Sequence, residues 1–316
     1  MEIIKGIENL YRPLKNPVVT LGNFDGVHLG HQKIFKRVLE EAQRLNGEGI
    51  VITFEPHPLK VLDPKRCLPL LSPFRKKMML IEASGIRTVL CLEFSLSFSQ
   101  LSASEFIEKI LVDQIKVKKV IIGYNYHFGN QKGGDVETLI REGKRFGFEV
   151  EVVEGVKINQ IPVSSSKIRD LLQKGEVEEA SKLLGRDYPV IGNVVKGKGR
   201  GKELGFPTAN LERSEELYPK TGVYAVEVIW RDQHFNGVAN VGTNPTFNPA
   251  GEKKGDLTLE VFILNLDRDL YGEEIQVNFK RRIRDEIRFN SSQELIDQIK
   301  KDVLWAKENV FFNQKS

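Results

Sequence analysis

The chain has 316 residues, 40% of them hydrophobic and 28% charged, the balance of a globular protein with room for about two domains. No apolar run approaches the roughly 20 residues that cross a bilayer, and Met1-Glu2-Ile3-Ile4-Lys5-Gly6 lacks the basic-then-apolar layout of a signal peptide. With two cysteines, Cys67 and Cys91, and a net charge of +4, neither a disulfide framework nor a zinc cluster is indicated; a reducing, cytoplasmic setting is expected, and the charge suits anionic small substrates.

Up to about residue 185, short apolar runs alternate with helical patterns. Residues 18–21, 50–54, 88–92, 120–122 and 150–153 read as strands, mostly buried on both faces. Ile34, Phe35, Val38, Leu39, Ala42 and Leu45 recur at helical spacing before a stop at Gly47. The alternation predicts an α/β domain with a mostly parallel, doubly wound sheet over 1–185. From 186 to 316 the pattern changes. Residues 190–195, 222–230, 235–241, 257–264 and 274–279 are β-like with turns between them, which predicts a small antiparallel barrel or sandwich. A terminal helix follows Ser291, with Glu294 placed for a capping box and Leu295, Ile296, Ile299, Val303 and Leu304 for an apolar face.

The run from Thr20 to His31 leaves a buried strand and enters a helix. Gly22, Gly26 and Gly30 let its backbone approach a ligand closely, and the helix start offers N–H groups to phosphate. His28 and His31 can donate hydrogen bonds to an α-phosphate as its charge builds. Two plainer readings stand beside this one: a metal pair, which lacks the third and fourth ligands of a zinc site, and histidines satisfied within the fold. Ser164-Ser165-Ser166 precede a helical stretch and can hold phosphate oxygens, with Arg169 as a bidentate cation; a simple N-cap is the alternative. Asn125 follows the strand ending at Ile122, where ligands gather in such sheets, and His57 lies in the stiff loop Glu55-Pro56-His57-Pro58.

In the second half, residues 192–202 carry five glycines and four cations without the spacing of a Walker A loop. Read alone this is a flexible basic loop or a patch for RNA, although the barrel has no interleaved aromatics suited to stacking on bases. It leads into Gly205-Phe206-Pro207-Thr208-Ala209-Asn210, where Thr208 and Asn210 project to one side of an extended chain and can offer oxygens to Mg²⁺; read alone, they are plain turn residues. Glu260 stands between apolar neighbours on a predicted strand, facing away from them. Arg284 lies in the charged stretch 282–286, where a solvated face is the default.

Taken together and in order, these motifs resemble the bacterial bifunctional riboflavin kinase/FMN adenylyltransferase (FAD synthetase) family. The resemblance spans Gly22 to about Asp302 and includes the stretches 222–224, 237–247 and 259–262. It implies a Rossmann-like nucleotidyltransferase sheet followed by a riboflavin kinase-like barrel. The implied activity is phosphorylation of riboflavin by ATP to FMN, then transfer of AMP from ATP to FMN to give FAD and pyrophosphate. ATP is co-substrate, Mg²⁺ the metal, and flavins substrate and product; nucleic acid and membrane are not partners, and homo-oligomerisation stays open.

By the same resemblance His28 and His31 are catalytic in adenylyl transfer. Gly22, Phe24, Asp25, Gly26, Ser164, Ser165, Ser166 and Arg169 bind ATP phosphates, while Asn125 and His57 contact FMN or the nucleotide. In the kinase Gly197, Lys198, Gly199, Lys202, Gly205 and Pro207 hold ATP, Thr208 and Asn210 the metal, Glu260 is the general base, and Arg284 meets the flavin from a loop. Lys202, Phe262, Asn125 and Lys167 depart from the commonest family residues, which touches rates and affinities more than activity.

Overall fold

The computed structural model describes residues 1–65, 68–197, 201, 204–244 and 256–312. Cys67, Lys198, Gly199, Lys202 and the stretch 245–247 lie outside the described residues. By its contacts the chain divides into two units, Met1–Ser165 and Ser166–Ser316.

The first unit is built on a six-stranded sheet in the order β1-β4-β3-β2-β5-β6. The strands are β1 (Glu2–Lys5), β2 (Val18–Leu21), β3 (Gly49–Glu55), β4 (Thr88–Glu93), β5 (Lys119–Gly123) and β6 (Glu149–Val153). Every pairing is parallel, so all the carboxyl ends share one edge. The chain leaves β2 in the middle of the sheet, with β3 on one side and β5 on the other. That reversal of strand order opens a crevice where loops can receive a ligand.

Alternation along the strands supplies both faces of the core. Val18, Val51, Val89 and Ile121 pack with Phe35, Val38, Met78 and Ile81 from helices Leu29–Arg44 and Phe74–Ala83. Val19, Ile50, Leu90 and Val120 pack the other way, against Ile107, Ile110, Leu111 and Leu139. The apolar runs are continuous because both faces are covered. The edge strand β6 is the exception, with only Val153 buried. β1 is too short and polar to be marked by periodicity; it joins the sheet by pairing Glu2–Lys5 with Thr88–Cys91.

A buried ion cluster sits at the opposite end of β5. Lys119 lies 2.9 Å from Glu41 and 2.8 Å from Glu151, and Arg44 is 2.9 Å from Glu41. The Arg44 and Lys119 hydrogen bonds hold the Glu41 carboxyl down at about 2. A depressed carboxyl stabilises the fold above its unfolded value of about 4.3, and that contribution fades as pH falls toward 2. We expect Glu41→Gln to lower the thermal midpoint at pH 7, with the difference from wild type narrowing as scans approach pH 2.

Two residue pairs, β7 (Lys157–Ile158) and β8 (Ile161–Pro162), form a small hairpin before helix Ser165–Lys174. That helix and the next, Val177–Leu184, join the second unit: Lys220 N–H donates to Leu172 O (2.9 Å), and Arg281 lies 3.3 Å from Glu178.

The second unit closes a six-stranded antiparallel barrel in the order β10-β13-β12-β11-β14-β9. Its strands are β9 (Tyr188–Val195), β10 (Thr208–Leu211), β11 (Gly222–Trp230), β12 (Gln233–Asn244), β13 (Asp256–Ile263) and β14 (Glu274–Arg284). Closure removes exposed strand edges. Val226, Val228, Ala239, Val241, Leu259, Val261, Val277 and Phe279 are wholly buried and fill the interior. On the outer wall Val223, Ala225 and Val238 pack under Val303, Ala306 and Phe311 of the terminal helical segment.

That terminal helix, Ser292–Ala306, is capped by Ser291 Oγ, which accepts from Glu294 N–H at 3.2 Å. The return half of the capping box is displaced: the Glu294 carboxylate accepts from Asn290 N–H rather than from Ser291. Leu304, expected on the apolar face, is 56% exposed, and Asp302 and Ala306 are the buried residues. The helix turns Leu295, Ile299 and Asp302 toward the barrel cavity and packs Val303 and Ala306 on the barrel wall, and Asp302 is accommodated by its pair with Arg284.

Candidate active sites

At the carboxyl edge of the parallel sheet, the turn after β2 is held in a conformation that L-residues rarely adopt. Phe24 and Val27 have φ of 50° and 38°, and such backbone persists only where its surroundings over-determine it. Phe24 is buried against Phe35 (4.9 Å between centroids) and meets His31 edge-on at 5.1 Å. Asp25 turns inward, accepting from Leu71 N–H (3.1 Å), Ser72 N–H (2.8 Å) and Ser72 Oγ (3.1 Å). Gly26 N–H donates to Ser72 Oγ at 2.7 Å. The carboxylate of Asp25 thus anchors the turn to the segment at Leu71 and Ser72.

His28 caps helix Leu29–Arg44, its Nδ1 accepting from His31 N–H at 3.3 Å. That bond leaves Nε2 as the protonated nitrogen of the neutral ring. The rings of His28 and His31 stack at 3.5 Å. A Cβ on Gly30 would stand 3.1 Å from the His28 ring, so the glycine between the histidines makes room for this stack. Among the described residues no group of three or more His, Cys, Asp or Glu could hold a metal ion, so the pair is not part of such a cluster.

Other motifs of the first unit, at His57, Asn125 and Ser165, reach the same edge. His57 follows β3, is buried, and caps helix Pro58–Leu62 through Nδ1, which accepts from Leu59 N–H at 3.2 Å. Asn125 follows β5 and is exposed, its carbonyl 3.0 Å from His127 Nδ1. Ser165 Oγ donates to Asp25 O at 2.8 Å, which ties the serine run to the turn after β2. Ser166 and Arg169 lie in the opening turns of helix Ser165–Lys174, and Ser164 directly precedes it. Periodicity did not reveal a row of aromatic rings along the edge. Phe54, Phe94, Phe98, Phe106, Phe128 and Tyr126 follow one another at centroid distances of 5.6–6.2 Å. They come from the end of β3, the segment after β4, the short helices Leu96–Ser99 and Ala103–Phe106, and the segment after β5, so only the fold assembles them.

On the barrel, strand register builds the site. Asn210 pairs with Glu260, and Glu260 with Asn240, across three adjacent strands. Thr208 pairs with Phe262 and Phe262 with Val238 on the same outward face. Leu259 and Val261 on either side of Glu260 are wholly buried inside, which sends the carboxylate outward. A cavity of about 300 Å³ lies over this face, lined by Thr208, Asn210, Asn240, Glu260, Phe262 and Arg284 among others. A second cavity of about 410 Å³ is lined by Gly197, Pro207 and Tyr271 together with Thr208 and Asn210. Thr208 and Asn210 therefore line both. Gly205 (φ 82°) turns the chain into β10.

Arg284 differs from expectation. It is the last residue of β14 rather than a loop residue, and it is not on a solvated face. Its guanidinium grips Asp302 at 2.7–3.1 Å, and the Asp302 side chain is 4% exposed. The charged stretch looked solvent-facing because its partner lies 18 residues on, in the terminal helix.

Sequence reasoning also missed Asn240 and Glu286. Both crowd Gly242, where a Cβ would lie 2.9 Å from the Asn240 amide nitrogen and 2.8 Å from a Glu286 oxygen. Burial raises the Glu286 carboxyl, opposed by its hydrogen bond with Asn240. The alternation of β12 was the available signal for Asn240; nothing local marked Glu286.

Comparison with known proteins follows the same division. Residues 12–167 match the family model described as FAD synthetase, and residues 184–310 that described as riboflavin kinase. The bifunctional riboflavin kinase/FMN adenylyltransferase of Buchnera aphidicola from Acyrthosiphon pisum is 36% identical over 314 residues, covering 99% of each chain. That of Escherichia coli K12 is 37% identical over 310 residues, covering 98% of this chain and 97% of the relative. A crystal structure described as a macrolide-efflux protein from Streptococcus pneumoniae is similar with a TM-score of 0.87 and 33% identity, over 97% of this chain and 98% of its own. No helix among the described residues here is long and apolar enough to cross a membrane. With both catalytic domains matched and near full-length relatives above 30% identity, the chain belongs to the bifunctional riboflavin kinase/FMN adenylyltransferase family.

Proposed function

We propose that the family's two reactions are divided between residues 186–316, which convert riboflavin and ATP to FMN, and residues 1–185, which convert FMN and ATP to FAD and pyrophosphate. The observation that carries this reading is the placing of Glu260 between Asn210 and Asn240, in a cavity that shares Thr208 and Asn210 with a second one. One substrate occupies each cavity, and the reacting atoms meet over the shared pair. The apolar cavity with Phe262, Ile287 and Phe289 suits the flavin, with the Arg284–Asp302 pair as its charged wall. The cavity beside Gly197 and Pro207 suits ATP.

In the kinase reaction the ribityl 5′-hydroxyl oxygen bonds to the γ-phosphorus as the bond to the β-phosphate oxygen breaks, and ADP leaves. Glu260 takes the hydroxyl proton. The Thr208 hydroxyl and Asn210 carbonyl fit Mg²⁺, a hard cation that binds few protein oxygens and keeps phosphate and water as its other ligands. When bound there it would neutralise charge on the transferring phosphate. Asn210 is packed tightly from behind: a Cβ on Gly197 would lie 2.3–2.7 Å from its carboxamide. Gly197→Ala therefore displaces Asn210, and we expect FMN formation to fall roughly tenfold or more with FAD formation from supplied FMN unchanged.

In adenylyl transfer an FMN phosphate oxygen attacks the α-phosphorus of ATP in line, and the bond to the pyrophosphate oxygen breaks. No protein nucleophile is required. His28 Nε2–H and His31 stabilise charge on the α-phosphate, and Ser165, tied to the turn after β2, helps to hold the phosphates. Phe54, Phe94 and Phe98, partly exposed members of the aromatic row, offer the flavin ring stacking partners. A cytoplasmic, reducing location fits a chain whose Cys91 is a buried free thiol.

The test is product analysis with riboflavin, ATP and Mg²⁺, following FMN and FAD by chromatography. FMN followed by FAD is expected. FMN alone locates a fault in the His28/His31 site, FAD only from added FMN locates it at Thr208, Asn210 or Glu260, and neither product overturns the reading.

A further inference from the structure

We propose that Lys77 is a positioning residue of adenylyl transfer, holding the end of β3 and the turn after β2 in fixed relation. The inference rests on the assignment of FMN adenylylation to the first unit. Lys77 lies on helix Phe74–Ala83 and is 4% exposed. Its ammonium donates to Thr53 Oγ1 at 3.2 Å and to Phe54 O at 3.3 Å. Thr53 Oγ1 in turn donates to Asn23 O at 3.4 Å. Asn23 lies in the strained turn before His28, and Phe54 belongs to the aromatic row. One buried cation thus ties together the loops assigned to the two substrates.

Stability does not account for this lysine. Its carboxylate neighbour, Glu55, is 3.9 Å away with a side chain 38% exposed, too loose a pair to offset full burial of an ammonium. Desolvation accordingly drives the Lys77 pKa down, with Glu55, Cys91 and Asp25 acting against it. An apolar side chain of similar length would fill the space without that penalty. What the ammonium supplies is direction: it needs acceptors at set positions, and finds them at the end of β3. From the other side Ser72 holds Asp25 and Gly26. A turn with left-handed Phe24 and Val27 requires such bracing to keep His28 and His31 in place.

The experiment uses full-length Lys77→Met, with FAD formation from FMN and ATP and FMN formation from riboflavin measured on the same preparation. We expect kcat for FAD formation to fall roughly tenfold or more while KM for FMN and ATP stays within about threefold. Riboflavin phosphorylation and the thermal midpoint should not decline. Thr53→Val removes the relay to Asn23 and should act in the same direction, with the double variant no worse than the more impaired single.

Wild-type kcat in Lys77→Met overturns the proposal. So does a loss shared by both activities with a lowered midpoint, which marks a structural role, and so do fully multiplicative effects in the double variant. A wild-type chain that makes no FAD from FMN overturns the site assignment, and this inference with it.

Discussion

Glu260→Gln is expected to abolish FMN formation from riboflavin while FAD formation from supplied FMN continues. Glutamine keeps the size and hydrogen-bonding reach of the side chain, so Asn210 and Asn240 on the neighbouring strands retain a partner of the same shape. It cannot take the proton of the ribityl hydroxyl. Removal of a general base lowers a rate by about 10²–10⁴, and kcat should carry the loss because substrate contacts are kept. The barrel wall is unaffected, since Leu259 and Val261 hold β13 from inside. Glu286→Gln is the control within the same cavity. Its carboxyl is raised by burial and is not paired in register with Asn210, so a much smaller effect is expected. Near wild-type FMN formation in Glu260→Gln, or a larger loss in Glu286→Gln, would show that the base has been assigned to the wrong carboxylate.

The second large effect is expected at His28, where two roles coincide in one side chain. His28 caps a 16-residue helix and presents its ring to the proposed α-phosphate position. Asparagine is a favourable N-cap, so His28→Asn preserves the helix start while removing the imidazole. FAD formation should fall by about 10²–10³, the size of effect seen when a preorganised donor to a developing charge is lost. FMN formation should be unchanged, and so should the thermal midpoint. His28→Ala removes cap and donor together, adding a loss of about 1 kcal/mol in stability. If His28→Asn made FAD at the wild-type rate, His28 would be a cap and nothing more. The stacked partner offers a second check: with the rings 3.5 Å apart, His31→Ala frees the His28 ring to tilt and should cost FAD formation in the same direction.

Much of the architecture was legible because it follows from periodicity. Short buried runs at 18–21 and 120–122, flanked by helical patterns, fit a sheet covered on both faces, which is where Val18 and Val19 are found, on opposite sides. Alternation around Glu260 gave its outward direction before any neighbour was known. The limits of such reasoning are as specific. β1 was missed because its pattern is exposed-exposed-buried-exposed over four residues, too short and polar to stand out. Spacing alone puts Leu304 on the inner face of the terminal helix, yet that face buries Asp302 instead, because Arg284 at the end of β14 supplies its partner. The charged surroundings of Arg284 suggest a solvated face for the same reason: the carboxylate that claims it, Asp302, belongs to another element.

The candidate sites divide along the same line. The amino-acid sequence by itself determined the two fold classes, the glycine-rich turn with its two histidines, the Thr208–Asn210 pair and the outward carboxylate of Glu260, because each depends on residues close in the chain. Tertiary structure alone decided that Asp25 serves as an anchor for Ser72, that Asn240 and Glu286 join the barrel cavity, that six aromatic rings form one row, and that Lys77 reaches Thr53. These contacts join residues that strand order and register bring together from distant parts of the chain. Local spacing carries direction along one strand or helix, whereas a hydrogen bond between two elements depends on how both are packed.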